Sequence, residues 1–236
     1  MFHPEGPSLF QLARQALSST DRGYDLLAPR FDHTPFRTPD DLLDALVPWL
    51  APDGSVASAA DLCTGTGAAL RVLRPLCRDR LVGVDRSRGM LDVARSRELP
   101  GSAPLTLLNQ DALTFDGSGF DLVTCFGAHG HIVPRDQPRF AHVVYDALRP
   151  GGRYVCLTAV MPTPLQPAWW MARSFNAVMR VRNAVLKPEF IMYYLLFTAD
   201  HATRVLSDAG FDVHIDRDVL PHPYRRLHVL TATRPG

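Results

Sequence analysis

Lysine is almost missing from this chain of 236 residues. Lys187 is the only one, so nearly all the positive charge is arginine; such a bias reflects genome composition rather than mechanism. Charge of one sign is missing too. Lys and Arg number 25 against 24 Asp and Glu, a net charge of +1, and the basic excess of a general nucleic-acid binder is absent. Long apolar runs are missing as well: the longest, Phe190 to Phe197, is far below the ~18–20 residues that span a bilayer. The opening MFHPEGPSLFQLARQALSS has no cationic segment followed by an apolar core, which makes a poor signal peptide. Cysteine is scarce. Cys63, Cys77, Cys125 and Cys156 are widely spaced with no CxxC pair, and read as small core residues in a reducing compartment. A soluble cytoplasmic protein is the expectation.

What remains is the composition of a globular domain, 46% hydrophobic and 21% charged, long enough to enclose a sizeable core. Residues 1–52 read as a helical cover broken by turns. In DDLLDALVPWL, Leu42, Leu43, Leu46, Val47 and Leu50 recur at helical spacing behind Thr38 as N-cap and Pro39 as first helical residue. From Val56 strands alternate with helices: SVASAADL, RLVGVD, PLTLLNQD, FDLVTCFG and GRYVCLTAV are strands, with Pro150-Gly151-Gly152 as the turn before the last. The alternation predicts a mostly parallel sheet covered on both faces. Residues 53–236 form that domain, interrupted at 161–197 by a long aromatic segment of helical character.

The chemistry concentrates at strand ends. Asp61-Leu62-Cys63-Thr64-Gly65-Thr66-Gly67 closes the first strand, and its glycines allow a ligand to approach the backbone. Eighteen residues after Gly67, Asp85 ends the second strand, where an acid in a doubly wound fold reaches ribose hydroxyls. Asp111 follows the third strand. Each feature alone is also a tight turn or a helix cap; three in order point to an adenosine-containing ligand. Leu70 occupies the third glycine position of a nicotinamide fingerprint, and no phosphate-loop motif is present. Asp61, an acid just before the turn, disfavours a pyrophosphate and suits a cationic amino group, such as the methionine end of S-adenosylmethionine.

DLCTGTG, GVDRSRGMLDVAR, NQDA, FDLVTCFG and LRPGG together resemble the ordered motifs of class I S-adenosylmethionine-dependent methyltransferases, in the small-molecule branch that includes quinone-biosynthesis enzymes. YDLLAPRFD resembles that branch's N-terminal cover. The resemblance implies a Rossmann-like, doubly wound α/β sheet of about seven strands, mostly parallel, with a helical cover and an inserted helical lid. It implies S-adenosylmethionine as cofactor, held by Asp61 and the backbone of Cys63, Thr64, Gly65 and Gly67. Asp85 would take both ribose hydroxyls and Asp111 and Ala112 the adenine edge, with Met90 on the adenine face, Phe126 near the methionine part, Tyr24 closing above and Arg86 as a further cofactor-binding residue. Met90 and Tyr24 also read as ordinary packing residues. Cys63 departs from the glycine common at its position in the family.

In FGAHGHI, His129 is the candidate general base and His131 the second choice, with loop packing as the alternative for both. No histidine spacing suggests a metal. The 161–197 segment, with Trp169, Trp170, Phe175, Tyr193 and Tyr194, has three readings. It is a lid over an apolar, ring-containing small-molecule acceptor, a helix that completes the core, or a helix making weak contact with a membrane surface. The function expected is methyl transfer to such an acceptor. A catalytically silent cofactor-binding protein or partner subunit on the same fold is the alternative.

Overall fold

The computed structural model describes residues 4–236. Its centre is a seven-stranded sheet: β1 Val56–Leu62, β2 Cys77–Asp85, β3 Leu105–Asn109, β4 Phe120–Cys125, β5 Leu148–Ala159, β6 Asp212–Asp216 and β7 Leu227–Thr233. The order is β3-β2-β1-β4-β5-β7-β6, with β1 to β5 parallel and β7 antiparallel to both β5 and β6. The chain order reverses between β1 and β4, so a crevice opens beyond their carboxyl ends, where doubly wound sheets bind ligands.

Both sheet faces are covered. On one, Phe120, Phe140, Tyr154 and Leu206 belong to a core closed by α7 (Gln137–Ala147) and α9 (Ala199–Asp208). On the other, Leu43, Leu46, Leu70, Leu73 and Leu81 form a second core under α3 (Asp40–Ala45), α4 (Val47–Leu50) and α5 (Ala68–Leu76). The sequence pattern of one helix through DDLLDALVPWL resolves into α3 and α4. Pro48 cannot donate to residue 44 and its ring clashes there, so the helix breaks at Leu46; Pro39, rather than Thr38, is the N-cap. Pro150-Gly151-Gly152, expected as a turn, is drawn into β5 because Gly151 N donates to Arg234 O (2.8 Å) and Arg234 N returns to Gly152 O (2.9 Å).

The cover begins with α1 (Leu9–Ala16) and α2 (Thr20–Leu27), followed by a 3-10 turn over Ala28–His33. Two acids fasten it to the sheet's carboxyl edge. Asp25 accepts from Ser87 Oγ (2.6 Å) and Gly89 N (2.9 Å) at the start of α6 (Arg88–Ser96), while Asp32 accepts from Thr66 Oγ1 (2.6 Å) and pairs with Arg37 and Arg97. After β5, α8 (Pro167–Val185) projects from the sheet, and residues 186–198 return from it without regular structure. No helix among the described residues is long and apolar enough to cross a membrane.

Candidate functional site

A cavity of about 650 Å³ lies over the carboxyl ends of β1, β2 and β4. Its floor is the turn after β1. Cys63, Gly65 and Gly67 all adopt left-handed backbone, φ 58°, 56° and 83°. Only glycine enters this region freely, so Cys63 carries strain of about 1–2 kcal/mol. A Cβ at Gly65 would meet nothing within 4 Å, so open space lies over that residue.

Two carboxylates frame the turn. Asp61 is 1% exposed, with Oδ1 accepting from Thr124 Oγ1 at 2.6 Å. Burial raises its pKa to about 6, against the pull of that bond. Asp85 is held from two sides: Oδ2 accepts from Gly65 N and Oδ1 from Ser87 N, each at 2.8 Å. Burial raises its pKa too, opposed by those two backbone donors. Each oxygen takes one backbone donor and so has a second lone pair to offer.

Most of the residues expected at a cofactor site meet in this cavity: Tyr24, Asp61, Cys63, Thr64, Gly65, Asp85, Arg86, Met90, Asp111, Ala112 and Phe126 all line it. Gly67 does not. It caps α5 from behind, where a Cβ would sit 3.3 Å from that of Ala94, and its role is packing α5 against α6. Asp111 partly fulfils the capping alternative, accepting from Leu113 N (2.9 Å) while its other oxygen lies 3.3 Å from Arg86; Arg86 also pairs with Asp21 at 2.8 Å.

The histidines divide. His129 Nε2 is bonded to the buried Tyr154 hydroxyl (2.8 Å), and the ring stacks on Phe197 at 4.4 Å. Burial pulls its pKa down to about 4. His129 lines the cavity with its Nε2 held by that hydroxyl. His131 lines it as well. Its Nδ1 lies 2.5 Å from the Ile191 carbonyl, which can only accept, so Nδ1 carries the proton. The free Nε2 then accepts from Tyr24 Oη at 2.8 Å. Burial lowers the His131 pKa and raises that of Tyr24.

The aromatic segment differs from the lid expected of it. Tyr193 and Tyr194 line the cavity; Trp169, Trp170 and Phe175 do not. They sit on α8, which turns Asn176 and Asn183 inward. Asn183 bonds both N and O of Phe190 (3.0 Å each), and Asn176 both N and O of Tyr194 (2.8 and 2.9 Å). The helix is therefore a rail that holds residues 190–197 over the cavity. The loop closes down tightly: Tyr193 N donates to Gly130 O at 2.9 Å, and a Cβ at Gly130 would come within 2.5 Å of Tyr193 O. Asp25, Asp32, Asn176 and Asn183 escaped the motif reading, although the asparagines' seven-residue spacing and the acids of YDLLAPRFD were visible signals.

The residues fit S-adenosylmethionine by their own chemistry. Asp61 is a buried carboxylate that accepts from the Thr124 hydroxyl, and Asp85 offers two lone pairs beside an open glycine turn. A cationic amino group and a pair of ribose hydroxyls answer these needs.

A methyltransferase-domain family model matches residues 59–152. Over 181 residues the chain is 31% identical to the ubiquinone/menaquinone biosynthesis C-methyltransferase UbiE of Desulfotalea psychrophila, covering 72% of each protein. The chain belongs to the class I S-adenosylmethionine-dependent methyltransferases. The demethylmenaquinone methyltransferase of Symbiobacterium thermophilum is 34% identical over 108 residues, a match that spans only 42% of that relative and 43% of this chain. Among solved structures, the DhpI complex with S-adenosylhomocysteine superposes with a TM-score of 0.66 at 19% identity, covering 97% of this chain and 99% of that one. Magnesium protoporphyrin IX methyltransferase of Synechocystis PCC 6803 gives 0.59 at 16% identity, over 95% and 93%. These two likenesses establish the shared fold.

Proposed function

We propose that the protein methylates an apolar, ring-containing small molecule with S-adenosylmethionine. One observation carries the reading: a single cavity joins the Asp61–Asp85 turn to a wall built from Phe31, Phe36, Ile132, Leu157, Met192 and Tyr193. Polar groups that fix orientation and apolar surface line the same cavity, the usual build of a small-molecule site. The names of the quinone-methylating relatives agree with a ring-containing acceptor.

In this reading Asp61 takes the methionine amino group and Asp85 the ribose hydroxyls, with Met90 against the adenine and Asp111 and Ala112 at its edge. Bound S-adenosylmethionine supplies an electrophilic methyl group on a sulfonium. The chain's own work is to align the acceptor and to keep water out, which is how much of such a displacement is accelerated. Where the acceptor must lose a proton, Tyr24 Oη receives it while passing its own to His131 Nε2. The imidazolium then formed keeps its Nδ1–H on the Ile191 carbonyl. No free tyrosinate is required, which matters because burial disfavours one.

The test is release of S-adenosylhomocysteine by purified protein given S-adenosylmethionine and a panel of phenols, hydroquinones and aliphatic acceptors. Turnover with ring compounds alone supports the reading. Tight cofactor binding without turnover on any of them would favour the silent binding protein, and turnover on aliphatic acceptors alone would refute the ring-containing acceptor.

A further inference from the structure

Helix α8 is inside out. Its buried residues are Ala172, Asn176, Met179 and Asn183, while Trp170, Met171, Val178, Val181 and Val185 are 60–74% exposed. At 100° per residue those five, with Ser174, Ala177 and Ala184, form one continuous outward strip without charge, roughly 24 Å long. Helix α1 repeats the inversion, with Gln15 buried and Phe10 and Leu17 exposed. The two helices are joined: Arg182 donates to Ala16 O and Ser18 O, each at 2.9 Å, which brings Leu17 beside the carboxyl end of α8. Scattered exposed apolar residues need no explanation, but a continuous strip of this length does.

Charge says what covers it. No acidic residue occurs between Asp146 and Glu189, a stretch that contains all of α8, and α1 has none either. Along one edge of the strip stand Arg173 and Arg180, lying over the rings of Trp169 (4.8 Å) and Tyr193 (5.9 Å). Arg14 is on α1, while Lys187, which follows α8, is paired with Glu189. A second copy packed through the same strip would bring more arginine to this edge and no acid from α8 or α1 to meet it. An anionic headgroup layer meets it well.

We propose that α8, with the exposed side of α1, rests in the plane of an anionic lipid surface: the valines, Met171 and Trp170 enter the acyl boundary and the flanking arginines reach phosphates. The proposal stands independently of the methyl-transfer reading, because its readout is adsorption. The purified full chain should co-sediment with vesicles of phosphatidylcholine mixed with phosphatidylglycerol, less so at high salt, and weakly with phosphatidylcholine alone. Replacing Val178, Val181 and Val185 by serine should weaken adsorption on the order of 100-fold. The pair Arg173→Gln and Arg180→Gln, which leaves the apolar strip intact, should weaken it about 30-fold. Circular dichroism should show both variants folded, since every altered side chain faces outward. Should the valine variant fail to fold, the arginine pair still decides. Absence of adsorption to the anionic vesicles overturns the proposal, as does adsorption indifferent to the arginine pair. A dimer that the valine changes dissociate, with no vesicle binding, would assign the strip to a second copy instead.

Discussion

Acidification should set two residues of the cavity against each other. His129 has its pKa pulled down from 6.5 to about 4 by burial. Above pH 6.5 it is neutral in both folded and unfolded chains; as pH falls toward about 4 only the unfolded chain binds the proton, and stability is lost. At 1.36 kcal/mol per unit the full loss is about 3 kcal/mol. Asp61 moves oppositely, from 3.8 up to about 6. Its buried carboxylate costs the folded state about 3 kcal/mol near neutrality, and protonation on the way down to pH 3.8 relieves that cost. In the wild type the two effects nearly cancel, so the native pH profile alone reveals neither.

Single substitutions separate them. His129→Gln removes the titration while offering a polar partner to Tyr154, and Asp61→Asn keeps an oxygen for Thr124. Measured against wild type by thermal unfolding, His129→Gln should gain about 3 kcal/mol of relative stability as pH drops from 6.5 to about 4. Asp61→Asn should lose a similar amount of relative stability between about 6 and 3.8. For a chain of this size each difference is roughly 6–12 °C in Tm. Other groups titrating in the window cancel because the comparison is between variants. Parallel curves for His129→Gln and wild type would refute the buried, neutral His129.

Four further outcomes can be checked. Asp85→Ala should weaken S-adenosylmethionine binding by about 100-fold or more in calorimetry, since two hydrogen bonds to a carboxylate are worth ~1.5–3 kcal/mol each; unchanged affinity in a folded variant would remove Asp85 from the ribose. Cofactor binding near pH 6 should release protons from Asp61, seen as a binding enthalpy that depends on the buffer, and Asp61→Asn should abolish the dependence. Tyr24→Phe and His131→Gln should each lower kcat by ~100-fold on an acceptor that must lose a proton, with cofactor affinity nearly unchanged; equal losses in kcat and affinity would make the pair structural. At Cys63, glycine should stay within about 1 kcal/mol of wild type, because relieved strain offsets added chain entropy, whereas valine should destabilise by about 2 kcal/mol or more in urea unfolding.

Much of the fold was legible because it is local. The strand β1, the turn and α5 follow one another within twenty-one residues, and apolar runs bounded by glycine turns announce the parallel sheet without any long-range information. Asp61 and Asp85 could be read for the same reason, each standing at a strand end that the pattern itself marks. What local pattern misjudges is competition. Pro150-Gly151-Gly152 has the chemistry of a turn, yet the backbone of Arg234, far along the chain, offers it two sheet bonds. Likewise the sequence ranks His129 before His131 as a candidate base without showing what either ring touches. Only tertiary structure brings the partners, Tyr154 for the first and Ile191 with Tyr24 for the second, and the Ile191 carbonyl fixes the second ring's proton on Nδ1.

The aromatic segment shows the limit most clearly. Apolar periodicity normally tells which helix face is buried, because burying apolar surface is the larger gain. In α8 the rule inverts: a loop backbone with no strand to join must place its own N–H and C=O groups, and two asparagines two turns apart satisfy four of them. Leaving those groups unpaired in the interior would cost about 1–3 kcal/mol each, a sum comparable with what burying three valines would gain. The polar face therefore goes inward, the apolar face is left outside, and a sequence that reads as a lid becomes a support for one. Replacing Asn176 by leucine should accordingly loosen residues 190–197 rather than tighten the core, seen as faster amide exchange at Tyr193 and Tyr194 while exchange in β1 and β4 stays slow. Unchanged protection of the loop would show that the asparagine bonds do not hold it.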